Sequence, residues 1–506
     1  MPRFGSFSGC WSLRSSRPDV TPVARCRLGA GLEVSRVVTG LWQIADMERD
    51  GRVIDLDATA AAMAPYAASG LTSFDMADHY GSAEIVAGRF RSRADTPPVE
   101  LLTKWVPPPE AGSRTEVRAA VGRALDRMKM PALDLLQFHA WNYADPSWLD
   151  RLFWLDELRQ EGLVKHLGLT NFDTAHLRVV VASGIPVVSN QVCFSLLDRR
   201  PARVMTGFAA AAGIKLLCYG TVAGGYLTER WLGKPAPSAG HRATWSEMKY
   251  GRFVAEAGGW EGLQRVLAVV HRIALRHQAS MANVATRYIL DHAGVGAVII
   301  GARLGQSSHL ADNLRVFAFD LSDADRAELA AVTDSLTPIP GDSGDEYRKP
   351  PYLTASGDLS HHVDAFPSPY PVRPGLGGKM LAQSGTPWET LAGYSRAIRT
   401  GNRILVSGTT ATHGDRLIGG DDPAAQTHAV IDKIEGAIQS LGGRLDHVVR
   451  TRIFIRDLAD WEPVARAHGE RFAGIEPANT LVRAELIGPE YRVEIEAEAV
   501  VNAEHP

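Results

Sequence analysis

The chain has 506 residues, with 54 Lys and Arg against 57 Asp and Glu, a net charge of -3. Such a length holds two or more domains, and the near-neutral balance offers nucleic acid no basic footprint. Cys10, Cys26, Cys193 and Cys218 are far apart and form no CxxC pair, which argues against a disulfide framework or a zinc site and for a reduced, cytoplasmic protein. No apolar run reaches the roughly 18 residues that a membrane-spanning helix needs.

Residues 1–26, MPRFGSFSGCWSLRSSRPDVTPVARC, are rich in Ser and Arg and nearly free of acids. They are expected to be a disordered leader; an organellar transit peptide shares this composition, whereas the apolar centre of a secretory signal is missing. From 27 to 336 the chain alternates β-prone apolar runs with amphipathic helical stretches. The runs are VVTGLW, LTSFDM, ELLTKW, LDLLQFHA, HLGLTNF, PVVSNQV, IKLLCYG and GVGAVIIGA, and 114–128 and 147–161 are among the helices between them. Alternation of this kind predicts an α/β fold with a parallel sheet. Eight units in about 300 residues predict a closed (β/α)8 TIM barrel. An open doubly wound sheet would need a glycine-rich phosphate turn after its first strand, but GAGLEV precedes that strand.

Within residues 73–81, SFDMADHYG, an apolar start runs into Asp75, and a turn then presents Tyr80. Lys104 in ELLTKW and His139 in LDLLQFHAW also sit at the ends of apolar runs. In a parallel barrel, those C-terminal strand ends carry the chemistry. Reducing a carbonyl by hydride creates an alkoxide that must be protonated as it forms. A tyrosine hydroxyl can do this, but its ordinary pKa of about 10 makes transfer hard at neutral pH. A nearby ammonium lowers that value by favouring the phenolate, and a carboxylate paired with the ammonium fixes its position. Tyr80, Lys104 and Asp75 are those three groups. His139 can donate to the carbonyl oxygen and orient it. Taken singly, Tyr80 reads as well as a packed phenol, and Lys104 with Asp75 as a structural ion pair.

Taken together and in order, these segments resemble the aldo-keto reductases across roughly 28–336. The family's FDTA-x-x-YG corresponds to 74–81, its strand lysine to Lys104, its strand histidine to His139, its G-x-[ST]-N to Gly168–Leu169–Thr170–Asn171, and NQVxxSLLDR to 190–199. The resemblance implies NADP(H)-dependent reduction of an aldehyde or ketone, or oxidation of the corresponding alcohol. It implies that Thr170, Asn171 and Gln191 bind the nicotinamide amide, that Tyr219 stacks on its ring, and that Gly220, Thr221, Val222 and Ala223 approach the pyrophosphate. Gly301, Ala302 and Arg303 match the stretch whose cation holds the 2′-phosphate, a role that suits the planar fork of arginine. Asp312 and Asn313 match the pair that binds adenine. LGQSSHLADN is longer than the family's spacing, with His309 where Gln is common, so Gln306, Ser307 and His309 are not carried over. Barrels of this family also serve as redox-sensing regulatory subunits with little turnover, and that is the alternative role.

Residues 228–260 form a long insertion at the catalytic face, where loops shape pockets. Its aromatics, Trp231, Trp245, Tyr250 and Trp260, wall an apolar pocket with Trp42, Trp105 and Trp141, or else pack the loop down. Residues 337–385 are rich in Pro, Gly and Ser and read as tail and linker. In aldo-keto reductases the tail often lies over the barrel mouth, which is expected of its first half here. His361 and His362 have no third ligand nearby, so no metal site is expected.

Residues 386–503 form a second domain. GNRILVSGTTAT and HVVRTRIFIRD alternate like strands, 424–441 reads as an amphipathic helix stopped at Gly442, and YRVEIEAEAVV alternates strictly. AGYSRAIRTGNRILVSG, RIFIRD, PANTLVRAEL and VEIEAEAVV resemble the RidA/YjgF/UK114 family, which implies an α+β fold, a homotrimer and pockets between subunits. Tyr394, Asn479 and Glu494 match pocket positions. Imine-hydrolysing members carry an arginine where this chain has Asn479, and an amide cannot supply the charged bidentate pair. Arg483, on the face of Asn479 by alternation, is a partial substitute. The domain is expected to oligomerise or bind a small ligand, with imine or enamine deamination as the alternative.

Overall fold

A hairpin, Arg25–Gly29 (β1) with Leu32–Ser35 (β2), is the first element in a computed structural model that describes residues 22–109, 112–238, 243–354 and 366–501. Residues 1–21 of the expected leader and the His361–His362 pair lie outside those residues. The eight apolar runs all become strands: Val37–Gly40 (β3), Ser73–Asp75 (β4), Glu100–Trp105 (β5), Leu135–Phe138 (β6), Leu167–Thr170 (β7), Val187–Cys193 (β8), Lys215–Tyr219 (β9) and Val295–Gly301 (β10). They close into a barrel in the order β10-β3-β4-β5-β6-β7-β8-β9 with parallel pairing throughout. Leu28, Leu32 and Val34 of the hairpin join Leu102, Leu135, Leu217 and Ala297 in one buried cluster. This plug seals one end of the barrel, and the chemistry is left to the other.

The helices agree closely with the apolar periodicity. Arg114–Met128 starts at a capping box built by Ser113 and Glu116, and Ser147–Gln160 follows Pro146. Among the described residues, no helix is long and apolar enough to cross a membrane.

The second domain is a mixed sheet backed by helices. Val372–Pro374 (β11), Met380–Ala382 (β12), Ala397–Thr400 (β13) and Arg403–Thr410 (β14) precede a ribbon of Thr412–His413 (β15) and Arg416–Leu417 (β16). Val448–Ile455 (β17), Ala478–Arg483 (β18) and Val493–Val500 (β19) complete the sheet, whose order is β11-β12-β13-β14-β19-β17-β18. Sequence pattern placed 372–382 in the linker. These two strands have three residues each and are bounded by Pro371, Pro374 and Gly375, which leaves too little alternation to read.

The long helix Pro423–Ser440 packs between its own sheet and the barrel helix Thr174–Ala182. The approach is close: a Cβ at Gly436 would overlap the carbonyl of Ala144, and one at Gly420 that of Ala182. This explains a glycine inside a helix, where it costs about 1 kcal/mol relative to alanine. At the centre of the interface His176 is gripped from both sides. Its Nδ1 lies 2.7 Å from Asp173, and its Nε2 lies 3.0 Å from Asp432 of the second domain. Arg471 donates to Asp432 at 2.5 Å. Arg178 with Asp422 (3.0 Å) and His413 with Asp150 (2.8 Å) flank this centre.

Burial opposes a charge on His176, but the fields of Asp173 and Asp432 outweigh it and raise the imidazole pKa. The stability this gives is fully present below the ordinary value of about 6.5 and is lost as pH rises through the raised folded value. His176→Ala leaves two buried carboxylates with one cation fewer and should cost about 3–5 kcal/mol in urea unfolding near pH 6. That cost should shrink at higher pH. An unchanged midpoint would show that the interface does not depend on this ion pair.

Candidate active site

Six of the eight barrel strands, β4 to β9, each hand one polar group to the open mouth. Asp75 ends β4, Lys104 is the penultimate residue of β5, His139 follows β6, Thr170 ends β7, Gln191 lies in β8 and Tyr219 ends β9. Lys104 donates from Nζ to Asp75 Oδ2 at 2.6 Å and to the Met76 carbonyl at 2.7 Å, and both side chains are buried. The other carboxylate oxygen of Asp75 accepts from Gln191 (2.7 Å) and Gln137 (3.1 Å). Burial lowers the pKa of Lys104, and Asp75 pulls it back up. The ammonium is 4.9 Å from the centre of the Tyr80 ring, so the expected three-group arrangement is present.

His139 is buried with its Nδ1 3.3 Å from the Thr170 carbonyl, while Nε2 has no hydrogen-bond partner among the described residues. Burial, then the charge of Arg348, hold its pKa well below the ordinary imidazole value, so the ring is neutral at physiological pH. In the neutral ring one nitrogen carries the proton. The Thr170 carbonyl can only accept, so that contact favours the proton on Nδ1 and leaves Nε2 to accept from an alcohol hydroxyl; donation from Nε2 to a carbonyl oxygen requires the other tautomer and gives up the Thr170 bond.

These groups line a cavity of about 130 Å³, together with Trp42, Trp141, Asn171, Gly220, Tyr250 and Gly301. Tyr219 donates its hydroxyl to Asn171 Oδ1 at 2.7 Å, and burial pushes the phenol pKa well above its ordinary range. This neutral donor turns the Asn171 amide, whose backbone sits at φ 57°, in the left-handed region. In the turn after β9 the Tyr250 ring packs so close that a Cβ at Gly220 would come 2.7 Å from its hydroxyl, and Val222 also lines the cavity. An aromatic ring beside oriented amides and a turn bounded by Gly220 and Gly224 form a cradle that fits a nicotinamide cofactor.

Other matched positions have different company. Thr221 is buried against Thr286 (3.3 Å), and Gln191 already donates to Asp75 and Gln137. Arg303 pairs with Asp46, beside Ala302. Asp312 accepts from Ser280 and Asn283 at 2.9 Å each, next to Asn313 in the short helix Leu310–Arg315. Of the inserted aromatics, Tyr250 lines the cavity, whereas Trp231 stacks on Tyr226 and packs against Trp260.

The tail of the first domain supplies groups that motif reading missed. Glu346 is buried in an ion triad with Arg200 (2.8 Å), which also holds Asp198 (2.7 Å). This anchor brings Tyr347 over the mouth, edge-on to His139 at 5.7 Å, with its hydroxyl 2.5 Å from Lys249 Nζ. The first half of the tail does lie over the mouth. The charged DEYR run was the only sequence signal.

In the second domain, Tyr394 lines an open cavity of about 960 Å³ on the sheet face, with Arg450, Arg452 and Glu496. Glu494 shares that face by alternation and is half-buried, which raises its pKa. Asn479 does not join them. It donates to Thr451 Oγ1 at 2.8 Å, on the helix side of the sheet, and Arg483 faces that side too.

Known proteins divide the chain in the same way. A sequence model described as the Aldo/keto reductase family matches residues 36–334, and one described as Endoribonuclease L-PSP matches 386–501. A glycerol dehydrogenase of Gluconobacter oxydans aligns with 63% of this chain and 97% of its own at a TM-score of 0.50 and 23% identity. The Escherichia coli Protein tas is 28% identical over 46% of this chain and 71% of its own. The 3-aminoacrylate deaminase RutC of Acinetobacter baylyi is 32% identical over 24% of this chain and 98% of its own.

Asp75→Ala should test the site's foundation. It strands the buried Lys104 charge and should cost about 3–5 kcal/mol in chemical unfolding. Asp75→Leu with Lys104→Met should recover most of that loss. Equal losses in both variants would mean that the pair does not carry the strand ends.

Proposed function

We propose, for a chain that belongs to the aldo/keto reductase family and carries a RidA-type C-terminal domain, NADP(H)-dependent interconversion of a small carbonyl compound and its alcohol. The observation that carries this reading is the buried Asp75–Lys104 pair, set beside Tyr80 and the unpartnered Nε2 of His139 in one cavity. Bound nicotinamide would supply hydride in one direction and accept it in the other. Thr170, Asn171 and Gly220 would hold that group, with Tyr219 against its ring. His139 holds the substrate oxygen. Tyr80 gives its proton to that oxygen as negative charge develops there, and the Lys104 ammonium stabilises the phenolate that remains. Asp75, held by both glutamines, keeps the ammonium in place, and the strap bearing Tyr347 limits access of water.

Arg303 supports NADP(H) over NAD(H), since the guanidinium can exchange Asp46 for a 2′-phosphate. The second domain is read as an oligomerising or ligand-binding unit that makes the chain a homotrimer through its open sheet face. Asn479 speaks against imine hydrolysis there, because it is turned towards Thr451 and carries no charge.

Tyr80→Phe should bind NADPH like the wild type and lose about 10²–10⁴-fold in turnover of aldehydes and ketones. If the wild type binds NADPH and turns over none of a broad panel in either direction, the regulatory-subunit role replaces this one. Arg303→Ala should weaken NADPH binding about tenfold or more, or about 1.4 kcal/mol, and leave NADH binding unchanged. Equal effects on both cofactors would remove the 2′-phosphate role.

A further inference from the structure

The strap that follows the barrel does more than cover the mouth. Arg348 donates from Nε and Nη2 to the Ala140 carbonyl, at 3.0 and 2.6 Å, and from Nη1 to the Asn171 carbonyl at 2.6 Å. Ala140 follows His139, the residue that holds the substrate oxygen. Asn171 is the left-handed residue whose amide faces the nicotinamide cradle. One guanidinium therefore ties together the turns after β6 and β7, and its planar fork reaches both carbonyls as a single point charge would not.

Arg348 rests on a platform. Its guanidinium carbon lies 4.4 Å from the centre of the Tyr143 ring. His176 stacks on that ring at 3.4 Å and an interplanar angle of 8°. Two groups over one ring at these distances must take opposite faces. His176 is held in turn by Asp173 and by Asp432 of the second domain, and Arg471 fixes Asp432. The route from Asp432 to Asn171 is an unbroken run of contacts through buried or half-buried side chains.

We propose that the second domain is a positioning element for the barrel's active site: Asp432 holds His176, His176 backs Tyr143, and Tyr143 carries Arg348, which sets the backbone of Asn171 and Ala140. On this account Arg348 is a positioning residue and touches neither substrate nor cofactor. The inference rests on the reductase reading for its turnover arm, but its binding arm does not need turnover.

A double-mutant cycle in the full-length chain tests it, read as NADPH affinity by fluorescence and as kcat. Arg348→Met should weaken NADPH binding about tenfold and lower kcat by about 10–100-fold, the scale of a small misplacement of reacting groups. Arg348→Lys should restore part of both. Asp432→Ala should weaken NADPH binding about 3–30-fold, and the double variant should be no worse than Arg348→Met alone. Arg178→Ala loosens the same interface away from the chain of contacts and should change affinity less than twofold. Arg348→Met should also move the acid limb of kcat to higher pH, because burial is then left to hold down the His139 pKa without the added charge of Arg348.

Additive losses in the cycle, or an Arg178→Ala effect equal to that of Asp432→Ala, would overturn the proposal in favour of general docking stability. Should Asp432→Ala not fold, the isosteric Asp432→Asn replaces it under the same criteria. A wild type that binds NADPH without turnover defeats the reductase reading alone, and the binding cycle still decides the positioning role. A wild type that does not bind NADPH defeats both.

Discussion

A lysine ammonium buried in the throat of a barrel is the constraint on which the rest of this molecule depends. Lys104 can remain charged there only because Asp75 lies 2.6 Å away and the Met76 carbonyl accepts a second bond. Asp75 in turn would be a buried half-satisfied carboxylate without Gln137 and Gln191 on its far oxygen. One ion pair thus recruits residues from four adjoining or facing strands. The hairpin plug at the opposite end leaves the C-terminal mouth as the place where such a charge can meet a ligand. The barrel also buries His139, so the site combines a charged lysine with a histidine kept neutral. Burial disfavours charge on both residues, and only the lysine has a carboxylate to offset it.

Outside the barrel, the connecting segment behaves as part of the catalytic domain. Its buried Glu346 pairs with Arg200, and Arg348 reaches two strand-end carbonyls, so the strap is fastened on both sides of Tyr347. The second domain docks on the outer barrel helix Thr174–Ala182 through its own long helix, and the glycines at 420 and 436 permit that approach. Its sheet keeps Arg450, Arg452 and Glu496 on the opposite, open face. Docking to the barrel therefore uses a different surface from the one available for association between copies.

The barrel and three of its four central side chains were legible because each of the three lies at the end of an apolar run, where local pattern and tertiary position coincide. Asp75, Lys104 and His139 follow that rule, and Tyr80 enters on the turn after β4. What was hidden lies where position depends on contacts between distant segments. The β1–β2 hairpin has no long alternation, and RCRLG mixes charge with apolar residues. Gln137 stands inside a run already read as apolar, and its role appears only once β4 and β8 lie across the barrel. Lys249, Tyr347 and Arg348 come from an insertion and a tail whose composition reads as loop. Asn479 was placed with Glu494 by family position, but the parallel pairing of β17 with β18 puts it opposite Thr451, on the other side of the sheet. No property of the strand's own sequence specifies that side.

Hydride transfer at the barrel mouth can be followed through the hydrogen itself. NADPH carrying deuterium at its transferable ring carbon would be incubated with the full-length chain and a mixture of aldehydes and ketones, and the products read by mass spectrometry. The account predicts an alcohol with deuterium on the carbinol carbon, absent when Tyr80→Phe replaces the wild type. Tight NADPH binding with no label in any product would contradict it.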